Sequence, residues 1–472
     1  MMNHKVVLSA CAGCAIIIAL LAACSGTKEK EPKGMSNLTI SSNKRYFATG
    51  HDDPFFWLGD TGWLLFARLT REEADRYLDD RQHKGFNVIQ VMVLHTLGAA
   101  NAYGDSALIN KDASRPLVTE GNNPADSAQY DYWDHVDYIV DAAKQRGLYM
   151  ALVPVWGSNV KAGNVNTRQG QALAEFLAHR YRDRSNIVWL NGGDIKGTDS
   201  LQVWNAIGST LRKEDTNHLI TFHPRGRTQS STWFHNESWL DFNMFQSGHR
   251  RYDQDTSKSE LRYGEDNWRY VNVDYAKTPA KPTFDGEPSY ESIPQGLHDS
   301  TEVRWDAAAV RRYGYWSVFA GGCGYTYGNN AVMQMHSPKD KKGAYGVTDY
   351  WYDAMNAPGA GQMVYLKDLM LSKPYFERVP DTTLVSDQGT RYAYVAATRG
   401  KNYALLYTYN GRNFSVAMGK IEGSKVKATW YSPRDGRSTE AGTMDNTGVT
   451  TFDPPGEPAD GNDWVLILDS VE

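Results

Sequence analysis

Two carboxylates in the sequence each follow a short apolar run at a turn. Asp194 ends the stretch NIVWLNGGD directly after two glycines, and Glu287 lies within KPTFDGEPSYE, just before a proline. Glycines allow a sharp turn and the close approach of a ligand, and proline stiffens a loop. Two carboxyl groups about 5–5.5 Å apart can hydrolyse a glycosidic bond with retention, one as proton donor and the other as nucleophile. Asp194 and Glu287 are therefore the candidate catalytic residues.

The segments that would position these carboxylates alternate between apolar runs and amphipathic stretches, from about residue 55 to residue 330. TREEADRYLDDRQHKG is of the amphipathic type: Thr70 and Glu73 form a capping-box pattern, and a glycine ends the stretch. Near-continuous apolar runs are typical of strands buried on both faces of a parallel sheet. The predicted strands are FFWLGDTGW, FNVIQVMVLH, LYMALVPVWG, NIVWLNGGD, HLITFHP, DFNMFQSGH, KPTFDGEPSYE and GCGYTYGNN.

This alternation predicts an α/β fold, a (β/α)8 TIM barrel over residues 41–375. The alternative is a doubly wound open sheet, which binds its ligand at one switch point and often shows G-x-G-x-x-G after a strand. That motif follows none of the runs, and polar residues follow many of them, which favours the barrel. Residues 376–472 instead carry short, turn-bounded, alternating runs such as NYALLYTYNG, which predict a C-terminal all-β sandwich.

In such a barrel the loops after the strands build the active site. The fourth and seventh strands lie across the mouth, so Asp194 and Glu287 can meet around one bond. Aromatic rings suit sugar faces, and polar side chains at strand ends suit sugar hydroxyls. Taken singly, each such residue has another explanation, such as a turn cap, a buried core histidine or simple packing. The predicted substrate-binding residues are Asp60, Trp63, His95, Trp156, Asn191, His223, Gln246 and Tyr327.

Asp285 competes with Glu287 for the catalytic role. Side chains alternate along an extended strand, so Asp285, Glu287 and Ser289 would point the same way. The sequence alone leaves this alternative open.

Metal-dependent chemistry has little support in the sequence. A metal-dependent barrel hydrolase would carry His-x-His at its first strand, where this chain has Gly59-Asp60-Thr61, and no zinc-type Cys/His spacing occurs. No metal and no cofactor are predicted. The net charge of −5, from 50 basic and 55 acidic residues, gives no basic footprint, so nucleic acid is not an expected partner.

The N-terminus indicates export. Lys5 precedes an apolar stretch that ends in Leu-Ala-Ala-Cys, which resembles a bacterial lipobox, although an ordinary signal peptide or a membrane helix is the alternative. Residues 1–24 are predicted to be a lipoprotein signal with Cys24 as the lipidated residue, and residues 25–40 a flexible tether. Only Cys323 then remains in the mature chain, too few for an intrachain disulfide. The expected location is the outer membrane, on its periplasmic or cell-surface face, with membrane contact through the lipid anchor alone and the oligomeric state open.

Several ordered motifs resemble one family. WLGDTGW, GFNVIQ, WLNGGD, FHP, FQSGH, DGEPSYE and GYTYG look like the apiosidase-like glycoside hydrolases of gut Bacteroidetes, barrels followed by a β-sandwich that bears a collagen-binding label. The resemblance covers nearly the whole mature chain. It implies a retaining mechanism, with Asp194 as acid/base and Glu287 as nucleophile. It also implies endo-acting cleavage of apiose linkages in the pectic polysaccharide rhamnogalacturonan II.

Two other functions are compatible with the same fold. One is a surface lipoprotein that binds a glycan or a matrix such as collagen without hydrolysis, and the presence of both carboxylates argues against lost catalysis. The other is a glycosidase with the same mechanism and a different sugar. Either way, the expected partner is a polysaccharide or oligosaccharide.

Overall fold

The computed structural model describes residues 35–50, 52–256 and 261–471. The predicted signal with Cys24, and residues 25–34 of the predicted tether, lie outside these described residues. The last residues of the predicted tether are ordered instead. Leu38 is buried in the barrel core, Thr39–Ile40 form a strand, and the side chain of Ile40 packs against that core. Within the described ranges, no helix combines the length and the apolar character needed to cross a membrane.

A small antiparallel sheet closes the end of the barrel opposite its mouth. It consists of β1 (Thr39–Ile40), β2 (Phe47–Thr49) and β3 (Asp53–Phe55). The ring of Phe47 packs 5.8 Å from Trp57 and 5.0 Å from Phe242, residues that lie at the beginning of barrel strands. These rings therefore exclude water from the bottom of the barrel.

Eight parallel strands form the barrel, and each of the eight predicted runs contains one. A short ninth strand, β9, pairs antiparallel with β10, and the sheet order is β8-β7-β6-β5-β4-β12-β11-β10-β9. Between β8 and β10 the ring is completed by hydrogen bonds from Asp241 N to Ile220 O (2.9 Å) and from Thr221 Oγ1 to Phe242 O (2.6 Å). The strands are β4 (Trp57–Thr61), β5 (Val88–Leu94), β6 (Tyr149–Val155), β7 (Ile187–Ile195), β8 (Ile220–Pro224), β9 (Thr228–Gln229), β10 (Asn243–Gln246), β11 (Thr283–Asp285) and β12 (Gly324–Tyr327).

Helices surround the strands, as the amphipathic stretches predict. The capping box at Thr70 is confirmed: Glu73 N donates to Thr70 Oγ1 at 3.3 Å, and Thr70 N donates to Glu73 Oε2 at 2.9 Å. Single turns of 3₁₀ helix occur at Ile109–Lys111, Tyr375–Glu377, Thr382–Leu384 and Arg391–Ala393. The α-helices are α1 (Leu65–Arg68), α2 (Arg71–His83), α3 (Tyr132–Gln145), α4 (Gly157–Lys161), α5 (Thr167–Tyr181), α6 (Leu201–Glu214), α7 (Ser231–Phe234), α8 (Trp268–Tyr275), α9 (Ala307–Phe319), α10 (Asn330–Met333), α11 (Trp351–Ala354) and α12 (Pro358–Leu371).

Polar side chains inside the barrel form a connected chain of hydrogen bonds. Trp57 Nε1 donates to Thr326 Oγ1 (3.0 Å), Thr326 Oγ1 donates to Gln90 Oε1 (3.2 Å), and Gln90 Nε2 donates to Gly286 O (2.9 Å). Buried polar groups of this kind stabilise one arrangement because an unpaired partner would be costly. The chain ends on the residue that precedes Glu287, so the barrel interior fixes the turn that carries this carboxylate.

The C-terminal segment is the all-β domain that the sequence predicts. A six-stranded sheet of order β13-β14-β15-β20-β17-β18 covers a two-stranded sheet of β16 and β19. Its other face packs on α9, where the rings of Tyr407 and Tyr315 stack at 4.7 Å and Arg311 pairs with Asp463 at 2.8 Å, both nearly inaccessible to solvent. The strands are β13 (Val379–Pro380), β14 (Val395–Arg399), β15 (Tyr403–Thr408), β16 (Phe414–Ala417), β17 (Lys425–Tyr431), β18 (Ser438–Asp445), β19 (Val449–Phe452) and β20 (Trp464–Val471).

Candidate active site

A cleft of about 380 Å³ opens at the carboxyl ends of the barrel strands. Both catalytic candidates line it, as do three of the predicted substrate-binding residues, Trp63, Trp156 and Gln246. The structure thus brings Asp194 and Glu287 to one cavity at the end of the barrel where active sites of this fold lie.

The chain places Asp194 in the cleft by an irregular end to β7. Gly192, Gly193 and Asp194 all have positive φ, at 100°, 108° and 45°, and the register with β8 shifts here. A Cβ on Gly192 would lie 2.7 Å from His223 O, and one on Gly193 would lie 2.5 Å from the Trp156 ring. Only glycine fits both positions, so the two glycines are what turns the carboxylate of Asp194 towards the cavity.

Glu287 reaches the cleft because β11 ends two residues before it. The strand stops at Asp285, and the chain turns at Gly286, where a Cβ would collide with the Met244 side chain. Glu287 is 7% exposed and lines the cleft.

Asp285 does not share that position. It is fully buried, where Ser247 Oγ (2.6 Å) and Asn267 Nδ2 (2.9 Å) donate to its carboxyl group. The expectation that Asp285 and Glu287 point the same way is wrong, because the strand geometry on which it rests ends at Asp285.

Two histidines hold Glu287. The Nε2 atom of His249 lies 3.3 Å from Oε1, and Nε2 of His223 lies 3.1 Å from Oε2 at an oblique angle. The Nδ1 atom of each ring accepts a backbone N–H, from Asp194 for His223 (3.1 Å) and from Tyr290 for His249 (3.4 Å). Since Nδ1 accepts in both rings, Nε2 carries the proton in both, and each N–H faces the carboxylate.

The electrostatic effect of these contacts is to keep Glu287 ionised. Burial alone would raise the pKa of Glu287, but the contacts from His223 and His249 outweigh burial and hold the pKa well below its usual range. A carboxylate that stays ionised can act as a nucleophile.

Asp194 is shifted in the opposite direction. Its side chain opens on the cleft, but the cleft walls restrict its hydration, and this together with the charge of Glu287 raises the pKa of Asp194 to about 6. The His223 ring and a hydrogen bond from Gly226 N oppose the rise. Two neighbouring carboxyl groups with separated pKa values are the arrangement in which one acts as an acid and the other as a nucleophile.

Aromatic rings and one amide form the floor around these groups. The ring centroids of Trp63 and Trp156 lie 5.3 Å apart, and each packs against His223, at 5.2 and 5.7 Å. Trp63 Nε1 donates to Tyr290 Oη at 3.1 Å, which fixes the orientation of the indole. Gln246 also lines the cleft, and its Oε1 is buried and receives no hydrogen bond from the described residues of the protein.

Asp60 is not in the cleft, contrary to the prediction. It is completely buried, accepts a hydrogen bond from Tyr77 Oη at 2.6 Å and pairs with Arg81 at 3.5 Å. Trp57 and Gly59 face the barrel interior, so Asp60 faces outward towards α2 by the two-residue period of a strand. Its role is to connect β4 with α2.

The same alternation corrects two other predictions. Asn191 is buried against α6, where its Nδ2 donates to Trp204 O at 2.8 Å. Tyr327 is buried on the outer side of β12, and its hydroxyl donates to Glu291 Oε2 at 2.6 Å. Neither residue lines the cleft.

His95 follows the end of β5 and also lies outside the cleft lining. It is half-buried, and burial together with nearby Arg68 lowers its pKa. The residue of this strand that reaches the cavity is Met92.

Several cleft residues were not predicted. His249 ends the FQSGH motif three residues after β10, so the strand-end rule points to it although it is not among the predicted site residues. Tyr345, in contrast, lies far beyond the end of β12, where no strand-end rule applies. The unpredicted polar and aromatic residues of the lining are Arg225, Arg227, His249, Arg250, Tyr290, His298, Gln334 and Tyr345.

In the part of the chain that the structure describes, no group of three or more His, Cys, Asp and Glu side chains is arranged to hold a metal ion. Cys323 is buried, and burial raises the pKa of its thiol.

Comparison with known proteins shows which family this barrel and its C-terminal domain resemble. A family model described as "Apiosidase-like, catalytic domain" matches residues 41–377, and one described as "Putative collagen-binding domain of a collagenase" matches residues 379–469. A solved structure named "Glycoside hydrolase" is 47% identical, with a TM-score of 0.87, over 92% of this chain and 97% of that chain. A glycoside hydrolase family 5 structure from Bacteroides vulgatus is 45% identical, with a TM-score of 0.87, over 92% of this chain and 94% of its own. No protein with a curated description matches.

Proposed function

The chain belongs to the apiosidase-like family of glycoside hydrolases, and we propose that it cleaves apiose linkages of the plant pectin rhamnogalacturonan II with retention of configuration. The observation that carries the mechanism is the pair of carboxyl groups in one cleft with oppositely shifted pKa values. Histidine contacts keep Glu287 ionised, whereas the cleft walls and the charge of Glu287 raise the pKa of Asp194 to about 6.

The reaction proceeds in two displacements. Glu287 attacks the anomeric carbon while Asp194 gives its proton to the departing oxygen, so the glycosidic bond breaks and a glycosyl ester of Glu287 forms. The Asp194 carboxylate then takes a proton from a water molecule while the oxygen of that water attacks the anomeric carbon. The ester bond breaks, which releases the sugar and restores both side chains to their starting protonation states.

The charge of the cleft supports an acidic glycan such as pectin. Arg225, Arg227 and Arg250 all line it. Burial lowers the pKa of Arg250, the charges of Arg227 and Arg225 lower it further, and the charge of Asp255 opposes the fall. Asp255 neutralises one of them through a 2.9 Å contact with Arg227. Arg225 and Arg250 also line the cleft, and their guanidinium groups can bind carboxylate groups of a substrate.

The test compares the protein from residue 25 onward with its Glu287→Gln and Asp194→Asn variants. The substrates are rhamnogalacturonan II side-chain oligosaccharides, other plant glycans and aryl glycosides, with products identified by mass spectrometry. We expect the unmodified protein to release apiose-terminated fragments and Glu287→Gln to lose activity by about three orders of magnitude or more. The matched control is Glu302→Gln, since Glu302 is a partly exposed partner of Arg251 and should keep full activity.

Full activity in Glu287→Gln would show that the nucleophile is assigned wrongly. Cleavage of a different glycan by the unmodified protein would keep the mechanism and replace the substrate.

We also propose that Cys24 anchors the protein to the outer membrane through lipid. The support is the lipobox-like Leu-Ala-Ala-Cys sequence. In cells that express the full chain, radiolabelled palmitate should enter the protein, and Cys24→Ala should abolish both the label and membrane fractionation. Labelling that persists in Cys24→Ala would exclude this anchor.

A further inference from the structure

Tyr345 occupies a backbone position that tyrosine disfavours. Its φ is 52° and that of Gly346 is 56°, and Val347 N donates to Ala344 O at 3.2 Å. This is the pattern of a hairpin-type turn with positive φ at both central residues, where asparagine, aspartate and glycine are preferred. A tyrosine at the first central position therefore strains the backbone.

Three side chains hold this strained turn in place. Asn330 Nδ2 donates to Tyr345 O at 3.0 Å, and Arg304 Nη2 donates to Gly346 O at 2.6 Å. The Gln334 side chain binds both backbone groups of the neighbouring Ala344. Its Oε1 accepts from the Ala344 N–H at 2.7 Å, and its Nε2 donates to the Ala344 carbonyl oxygen at 3.2 Å. The surrounding structure thus determines the conformation, which is the condition under which strain persists at functional sites.

Burial does not explain the choice of tyrosine. The side chain is 38% exposed although it lines the cleft. It lies close enough to the catalytic pair that the charges of Glu287 and Asp194, after burial, raise its pKa. The ring of His298 lies 6.1 Å away on the same wall of the cleft.

We propose that Tyr345 is a substrate-binding residue whose ring face packs on a sugar next to the scissile bond. Neither backbone preference nor packing within the protein favours tyrosine here, and an exposed ring beside two catalytic carboxylates suits the apolar face of a sugar. The inference rests on the proposed glycosidase function. It implies that the loop after β12 contributes to substrate selection.

The test uses Tyr345→Asn and Tyr345→Phe, with Tyr350→Asn as the matched control. Tyr350 is 37% exposed, lies in the same loop outside the cleft lining, and has an ordinary φ of −90°. Kinetics are measured on whichever glycan the unmodified protein cleaves, so a wrong sugar in the proposed function does not affect the result. Thermal unfolding is measured for all variants.

Asparagine suits the turn but removes the ring. We expect Tyr345→Asn to unfold at the same or a higher temperature while KM rises about tenfold and kcat changes little. Tyr345→Phe keeps the ring and should stay within about twofold of the unmodified kcat/KM, as should Tyr350→Asn. A merely structural role would instead lower the melting temperature of Tyr345→Asn and leave KM unchanged.

The proposal is overturned if Tyr345→Asn keeps its KM, or if Tyr345→Phe loses as much kcat/KM as Tyr345→Asn. The first result would show that the ring does not contact substrate. The second would show that the ring face is not what binds.

Discussion

Replacement of His249 by phenylalanine removes one of the two N–H groups that face the Glu287 carboxylate, at 3.3 Å from Oε1. Phenylalanine keeps a ring of similar shape for the edge-on contact with Tyr290, whose centroid lies 4.7 Å away. A hydrogen bond to a charged group contributes about 1.5–3 kcal/mol, and one pKa unit corresponds to about 1.36 kcal/mol. The variant should therefore raise the pKa of Glu287 by about 1–2 units.

The pH dependence of kcat/KM measures this shift. Glu287 must be ionised to attack, so the acid limb of the profile reports its pKa in the free enzyme, and the basic limb, near pH 6, reports loss of the Asp194 proton. Because loss of the donor destabilises ionised Glu287, the acid limb of His249→Phe should move to higher pH. The pH range over which the variant is active should therefore become narrower.

The control is His95→Phe, since His95 lies outside the cleft lining and should leave both limbs in place. An unshifted acid limb in folded His249→Phe would refute the argument that this histidine sets the charge state of Glu287.

Three further predictions follow from the geometry. Asp194→Asn should retain activity on aryl glycosides with acidic leaving groups, which need no proton, and added azide should speed its turnover and yield a glycosyl azide detectable by mass spectrometry. Gly193→Ala should lower both kcat and the melting temperature, because its Cβ would lie 2.5 Å from the Trp156 ring at a φ of 108°; unchanged kinetics would remove the explanation for the glycine pair. Asp463→Ala should lower the free energy of unfolding by about 3–5 kcal/mol, because it leaves buried Arg311 without its 2.8 Å partner. Denaturant titrations measure this loss. A loss below about 1 kcal/mol, as for exposed ion pairs, would contradict a buried contact between barrel and sandwich.

The barrel and the position of the proposed catalytic pair follow from local signals in the sequence. Near-continuous apolar runs mark strands buried on both faces, and the residues just after such runs gather at one end of the barrel. Asp194 and Glu287 satisfy this rule, and both line the observed cleft.

The strand-end rule does not tell which side chains point into the cleft and which point outward. Asp60, Asn191 and Tyr327 lie at strand ends but face outward, because one residue of register reverses the side of a strand. The register could not be read from runs that are apolar at nearly every position.

Contacts distant in sequence were also beyond prediction. His249 acts on Glu287 across 38 positions, and Tyr345 enters the cleft from a loop whose path is set by Asn330, Gln334 and Arg304. Their significance depends on tertiary contacts that no local pattern encodes.

The proposed mechanism requires a covalent bond between Glu287 and the sugar, and this intermediate can be trapped. The Asp194→Asn variant is mixed with an activated aryl glycoside of the sugar that the unmodified protein releases, then quenched and analysed by peptide mass spectrometry. Loss of the acid/base group slows hydrolysis of the ester more than its formation from such a substrate, so the adduct should accumulate. One added glycosyl mass is expected on the peptide that contains Glu287, and none when Glu287 is also replaced by glutamine. An adduct on another residue, or product of inverted configuration with no adduct, would show that Glu287 is not the nucleophile.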